Sequence, residues 1–447
     1  MNEQKNTLDA QLSTLNSPIP TYFDWAATSP EDGDILREAL NVAIENFGNP
    51  SSVYETGKKA RKALEEARES CAKTLGVKAN QIFFTSGGTE SDHIPLLSVL
   101  NNPSKSGRII LSGIEHPALR EQCENLKKLG YDVVTVNPDK NGFVTADSII
   151  EKLTSDTLFV TVMAVNNETG CIQPIYEIAD RITEATAGKR RPHFHVDCVQ
   201  AAGKIPLDIS HKGIDSAAFS AHKICGPRGI GILYLAREIK PFLIGGGQEN
   251  GVRSGTENLF GAVAFSKCLE KYYLRSVVST GTTTATENCT TNASSNCTTN
   301  ASSNCSTSVN TKLITTDSKF ERLEQQKIWT KKLIESLKTL KGCVMVPELR
   351  GDLSDEAQEK FSPWVLQVAV PGIPGNVMVR ALDAKGFSIS TGSACSAKKQ
   401  SRPILAAMGT PRNVQDSAVR LSFGPLTTEE GMKALFEAIK EVVADFN

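Results

Sequence analysis

Between residues 80 and 240 short apolar runs alternate with stretches that carry apolar residues at helical spacing. The runs Ile82–Thr85, Arg108–Ser112, Asp132–Val136, Leu158–Val165, Pro192–Cys198, Ser216–Ser220 and Gly231–Leu235 predict strands. Several are continuously apolar, as strands covered on both faces are. His116–Leu129 and Ile175–Ala187 predict the helices that connect them, which makes βαβ units and an open, mostly parallel sheet. In such sheets ligands bind beyond the carboxyl ends of the strands. Thr56–Leu75 predicts a charged amphipathic helix, with Gly76 placed to stop it.

The pattern breaks at about 276–318. The unit CTTNASSN occurs twice there, at Cys289–Asn296 and Cys297–Asn304. A stretch of Thr, Ser and Asn cannot bury a core, so a disordered surface insert is expected. Beyond it, Phe320–Leu340, Asn376–Lys385 and Thr428–Phe446 predict helices, the last capped by Thr427 or Thr428. Trp364–Val370 and Phe387–Ser390 predict strands. The expectation is a large domain over 21–265 and a smaller α+β domain over 266–447 that contains the insert, with 1–20 packing nearby.

Of the 447 residues, 40% are hydrophobic and 22% charged, ordinary values for a globular chain of two domains. A net charge of -1 speaks against a broad nucleic-acid surface. No apolar run approaches the roughly 20 residues of a membrane span. MNEQKNTLDAQLSTLNSPIP has neither the apolar core of a secretion signal nor an Arg-rich face, so a cytoplasmic protein is expected. Eleven cysteines without a CxxC pair argue against a disulfide framework or a zinc knuckle, and no metal is expected.

Five elements carry candidate chemistry. Lys223 follows an apolar strand in FSAHKICGP; a lysine against low-dielectric walls can form an imine with a carbonyl, although alone it reads as a surface charge. Asp197 and Gln200, in FHVDCVQ, end the preceding strand. An acid there can pair with a pyridinium nitrogen, or merely cap a turn. Gly88 and Thr89, in FFTSGGTES, sit where strand becomes helix; N–H groups and a hydroxyl there can bind phosphate. His116, in IEHP, could stack on a flat cofactor and move protons, or be a structural imidazole. Asn167, in VNNETG, ends another strand and could contact ring or substrate. The joint order, all at carboxyl ends of one expected sheet, suits pyridoxal 5'-phosphate (PLP).

With YFDWAATSP (Tyr22–Pro30), Asn49–Arg68, HVDCVQAAGKIPLD, SAHKICGPRGIGILYL, GGGQENGVRSGTEN (245–258) and STGSACS (Ser390–Ser396), these stretches resemble the class V aminotransferase family, and within it the cysteine desulfurases of the NifS/IscS type. The likeness runs from Tyr22 to about Phe423. It implies an α/β protein of PLP-dependent transferase fold type I. Lys223 would hold PLP as an imine, Asp197 its ring nitrogen and Gln200 its ring oxygen, with His116 stacked on the ring. Thr89, Ser220 and His222 would hold the phosphate. Thr256 would reach the neighbouring subunit's phosphate, which implies a homodimer. Asn167 and Arg420 would hold the carboxylate of L-cysteine, the fork of Arg matching it with two hydrogen bonds. Cys395 would take the sulfur as a persulfide and pass it to an acceptor such as an Fe–S scaffold, a tRNA-thiolation pathway or a related one. Lys398 and Lys399 would favour its thiolate.

Trp25, Asp92 and His93 stand where the family usually has Asn, and KKQSRPILAAMG after Cys395 departs from the usual pattern, leaving the acceptor open. A selenocysteine lyase, another PLP aminotransferase or lyase, and a non-catalytic sulfur-relay or scaffold subunit are the alternative readings.

Overall fold

The computed structural model describes residues 21–276, 318–392 and 402–446. The N-terminal segment, most of the Thr/Ser/Asn insert and Cys395 lie outside the described residues.

The seven strands expected between 80 and 240 form one sheet: β1 Ile82–Thr85, β2 Arg108–Ser112, β3 Asp132–Val136, β4 Thr157–Thr161, β5 His193–Asp197, β6 Ser216–Ser220 and β7 Gly231–Leu235. Their order is β1-β7-β6-β5-β4-β2-β3. β7 runs antiparallel to both its neighbours and the other pairings are parallel. The carboxyl ends of β1, β2, β4, β5 and β6 therefore share one edge. β1 and β4 to β7 are buried throughout, as their apolar runs require. β4 is shorter than the apolar run that predicted it. Val162 and Ala164 donate instead to the carbonyls of His195 and Asp197, which draws the chain toward the end of β5.

Helices α1 Gly33–Glu45, α2 Glu55–Leu75, α3 Gly88–Leu97, α4 Pro117–Lys128, α5 Ala146–Ile150, α6 Ile175–Ala185 and α7 Leu259–Tyr272 cover this sheet. On α2 the residues Ala60, Ala63, Leu64, Ala67, Cys71 and Leu75 make one buried stripe, and Gly76 ends the helix at φ 75°, where glycine pays little. The small side chains of that stripe let α7 lie close. α7 is continuous across position 265, and its Phe265, Cys268 and Leu269 belong to the large sheet's core.

A second sheet, β10-β9-β8, is antiparallel: β8 Val344–Met345, β9 Val365–Ala369 and β10 Ala418–Ser422. With it come α8 Ser318–Leu337, α9 Asp355–Gln358, α10 Gly375–Ala384, α11 Pro403–Ala407, α12 Arg412–Ser417 and α13 Glu429–Asp445, of which α11 buries Ile404 and Leu405 in the large sheet's core. α13 is capped by the Thr428 hydroxyl, which accepts from Gly431 N. The strand expected at Phe387–Ser390 is not a ladder strand; the segment makes single bridges, Ser388 to Tyr22 and Ser390 to Arg420. One bridge is parallel, to the segment at Tyr22, and the other antiparallel, to Arg420 in β10, so the segment divides its pairing between two partners.

An ion pair locks α2 to the loop that precedes α7. Both Arg68 amino nitrogens reach Glu249, at 2.7 and 2.8 Å; Glu249 also accepts from Phe84 N at 2.7 Å, and Arg68 donates to Ile82 O. Both side chains are buried. Removing one member leaves a buried charge uncompensated. Arg68→Met is therefore expected to cost about 3–5 kcal/mol, read as a lower urea midpoint.

Candidate active site

The strand edge holds a cavity of about 270 Å³. Gly88, Thr89, His116, Asn167, Asp197, Gln200, Ser220, His222, Lys223 and Arg420 all line it, so the structure gathers ten of the twelve residues singled out in the sequence. Thr256 is exposed and is not at this cavity, and Cys395 is outside the described residues.

Each residue arrives by a local rule. β1 turns into α3 through Gly87 at φ 154°, a conformation open to glycine, and no side chain caps the first turn of α3. A Cβ on Gly88 would sit 2.8 Å from Val199 Cγ2, and one on Gly231 would sit 2.6 Å from the Gly87 backbone. The turn is thus glycine-lined on both sides and leaves the helix N-terminus facing the cavity, an arrangement that favours an anion. His116 caps α4, its Nδ1 accepting from Ala118 N at 3.2 Å. Asn166 Oδ1 accepts from Glu168 N and Thr169 N, a tight turn that sets Asn167 at the cavity wall. Asp197 Oδ1 accepts from Val199 N at 2.8 Å. Lys223 Nζ donates to the carbonyls of Ala26 and Ala27 at 2.7 and 2.6 Å. Arg420, in β10, donates to Asn167 O at 2.8 Å and pairs with Asp24 at 2.7 Å.

Burial sets the charge states. It pushes Asp197 up to about 7, helped by the neighbouring Asp92 carboxyl. It pulls His116 down to about 4 and His222 to about 3, with the Lys223 ammonium adding to both. Both imidazoles are neutral at pH 7, which suits stacking and hydrogen bonding more than anion binding by charge. Two buried carboxyls that the sequence reading left unassigned lie close by. Asp92 lines the cavity and meets His195 Nε2 at 3.1 Å; His195 and His193 share the Ser216 hydroxyl at 2.7 and 2.8 Å. Glu115 accepts from Ser112 and Met163 N, and burial raises it to about 8.

Trp25 belongs to the segment that reaches the cavity, but its ring turns away. Its Nε1 donates to Tyr22 O, and it packs so tightly on Gly424 that a Cβ there would meet Cε3 at 2.0 Å. His93 holds Ala118 O. Sequence reasoning also missed Asp24 and the Ala26 and Ala27 carbonyls. No motif marks a backbone acceptor, since its role depends on where the chain is carried.

The residues present fit PLP. The donor set offers an uncapped helix N-terminus for a phosphate, a buried acid, a neutral imidazole and a lysine. Among the described residues, Asn167 Oδ1 and Arg420 Nε are buried at the cavity without a hydrogen-bond partner, as groups awaiting a ligand are.

Fold and site together define a PLP enzyme of fold type I. The family model for aminotransferase class V matches residues 21–288, and the chain belongs to that family. Within it, the chain is similar to enzymes of the NifS/IscS kind. It is 33% identical to the cysteine desulfurase IscS of Methanosarcina thermophila, over 97% of this chain and 93% of the relative. The solved structure of a NifS-like protein superposes with a TM-score of 0.77 at 30% identity, covering 95% of this chain and 99% of that one. A structure of SspA in complex with cysteine gives a TM-score of 0.68 at 25% identity, covering 91% and 100%.

A neutral buried imidazole makes stability depend on pH. The folded His116 binds a proton only near 4, against an ordinary value of 6.5, so the unfolded chain protonates first. Stability is complete above about 6.5 and is lost as the pH falls toward 4. Asn can replace the cap without titrating. In cofactor-free protein, His116→Asn should reduce the loss of unfolding free energy across that window by roughly 2 kcal/mol, followed by urea titration at each pH.

Proposed function

We propose that this chain is a cysteine desulfurase that uses PLP, converts L-cysteine to L-alanine and carries the sulfur as a persulfide on Cys395. The observation that supports this most is the convergence of Lys223, Asp197, Gln200 and His116 on one cavity with Arg420 at its wall. Relatives named cysteine desulfurase and a neighbour solved in complex with cysteine support the choice of substrate.

Bound PLP supplies an aldehyde that captures amines and a ring that draws electrons from the carbon beside them. Lys223 is the amine that holds it and, once released, the base that moves the substrate's α-proton. Asp197 keeps the ring nitrogen protonated, and Gln200 holds the ring oxygen. His116 covers the ring face. The N–H groups of Gly88 and Thr89, with Thr89, Ser220 and His222 side chains, hold the phosphate. Arg420, with Asn167, takes the substrate carboxylate by exchanging it for Asp24, its present ion partner. The Cys395 thiolate attacks the substrate sulfur. A sulfur–sulfur bond would form and the carbon–sulfur bond break with its electron pair left on the β-carbon. A proton there makes the methyl group, a second proton returned to the α-carbon by Lys223 restores the amino acid, and the Lys223 amine displaces alanine.

A homodimer completes this reading. Phe242, Leu243 and Ile244 are 48%, 67% and 85% exposed, and Phe47, Val53 and Tyr54 are exposed as well. Apolar side chains so exposed suit an interface, and Thr256, on the following loop, would reach the second subunit's phosphate. An Fe–S scaffold is the acceptor this reading takes first, in keeping with the likeness to relatives named IscS. A cytoplasmic setting accords with the free cysteines among the described residues, where no helix is long and apolar enough to cross a membrane.

The decisive measurement is mass spectrometry after brief exposure to cysteine, with one extra sulfur expected at Cys395. Lys223→Ala should abolish the cofactor's absorbance band and all turnover. Cys395→Ala should keep the band yet lose sulfide release by roughly a hundredfold or more, the scale seen when a reacting group is removed. Full sulfide release from Cys395→Ala would refute the persulfide. Sedimentation should give a dimer, and Thr256→Ala should weaken PLP retention while leaving the dimer intact.

A further inference from the structure

Lys204 is a buried cation with no part in the chemistry above. It lies four residues after Gln200, is 6% exposed, and lines a small cavity of about 30 Å³ behind Lys223, together with Trp25 and Tyr272. Among the described residues its ammonium makes one hydrogen bond, a short one to Gln200 Oε1. The other end of the same amide donates to Ala26 O at 2.9 Å. Ala26 O also accepts from Lys223 Nζ at 2.7 Å. A continuous path therefore runs from Lys204 through the Gln200 amide and one backbone carbonyl to the lysine of the site.

An amide can sit two ways round, and its neighbours decide which. Ala26 O only accepts, so it demands the NH₂ end. The Lys204 ammonium only donates, so it demands the oxygen. Reversed, the amide would set oxygen against oxygen and N–H against N–H in a buried place. We propose that Lys204 is a positioning residue that fixes the Gln200 amide with its N–H groups toward Ala26 O and the cavity, so that Gln200 serves the site as a donor only.

The inference rests on the PLP reading of the site. It adds that the residue expected at the ring oxygen is oriented by a cation from behind. Burial and the nearby Lys223 and Arg420 charges hold Lys204 well below the usual lysine range, with Cys225 also facing it. Lys223 in turn faces His116, His222 and Asp197. A donor on the ring oxygen and a cation behind the site both lower the affinity of the Lys223–PLP imine for a proton.

The test compares holoenzyme carrying Lys204→Met, Gln200→Met and both, with Lys204→Gln as the variant that keeps a donor but no charge. Removing a buried ammonium removes its desolvation cost, so the variants should stay folded, as checked by melting. Two quantities are read: the pH midpoint of the imine's absorbance change and the PLP dissociation constant. Lys204→Met should raise the midpoint by about one unit and weaken PLP by about three- to tenfold, the scale of one hydrogen bond. Both effects should shrink by at least half when Gln200 is already Met, and Lys204→Gln should recover most of the affinity. Equal effects of Lys204→Met in both backgrounds would show a through-space charge alone and overturn the proposal. So would an unchanged midpoint and affinity. Wild-type protein that forms no imine at all counts against the PLP reading instead.

Discussion

Residues 21–29 form a strap whose backbone groups are shared between both sheets and the site. Tyr22 and Asp24 bridge to Ser388 and Ser422 beside the small sheet, and Ala26 N donates to Ser422 Oγ. On the other side Ala26 O takes both Gln200 and Lys223, Ala27 O takes Lys223, and Ser29 bonds His222 O and Cys225 N. Buried carbonyls must find donors. Here the available donors are the side chains that the site uses, so satisfying the strap and placing Lys223 are one event. Asp24, in the same strap, holds Arg420 of β10. The cavity is thus walled by two sheets but stitched by nine residues.

The second constraint is electrostatic. The cavity floor concentrates carboxyls and imidazoles where water is scarce, and burial drives each toward its neutral form. Asp92, Glu115 and Asp197 are raised, and His116, His195 and His222 are lowered. Neutral groups can share hydrogen bonds in fixed chains, as Asp92, His195, Ser216 and His193 do. A cofactor with a phosphate and a pyridinium would bring its own charges into a site whose cationic side chains are few: Lys223, Arg420 and, behind them, Lys204, which burial holds well below the usual lysine range. Such preorganisation places dipoles before the reaction needs them.

Much of this was legible in the chain. Most of the seven strands follow from apolar runs because a strand covered on both faces must be apolar along its length. Five match their expected bounds, β5 is one residue shorter at each end, and only β4 departs further, while the edge strand β3 is exposed or half-buried except at Val136. Helices α2, α4 and α6 follow from spacing. Gly88, Thr89, His116, Asp197, Gln200 and Lys223 were visible because they lie at or shortly after the carboxyl ends of such strands, where α/β sheets expose ligands, whereas Arg420, Thr256 and Cys395 were marked by the family motifs. What stayed hidden has a common cause. Phe387–Ser390 reads as a strand but makes only single bridges, and Trp25, a departure from the family's usual Asn, is drawn under Gly424 by packing.

The sequence by itself determined the periodicity: which segments are strands, which helices cross between them, and which side chains stand at the strand ends. It also determined the family, because the motifs carry those side chains in fixed order. Only the tertiary structure decided that residues 21–29 return to cap the site, that Arg420 crosses from the second sheet to meet Asn167, and that Lys204 backs Gln200. Those contacts join positions far apart in the chain, or turn on which way an amide faces. Local pattern carries no information about either, since both are set by which buried donor meets which buried acceptor once the core has closed.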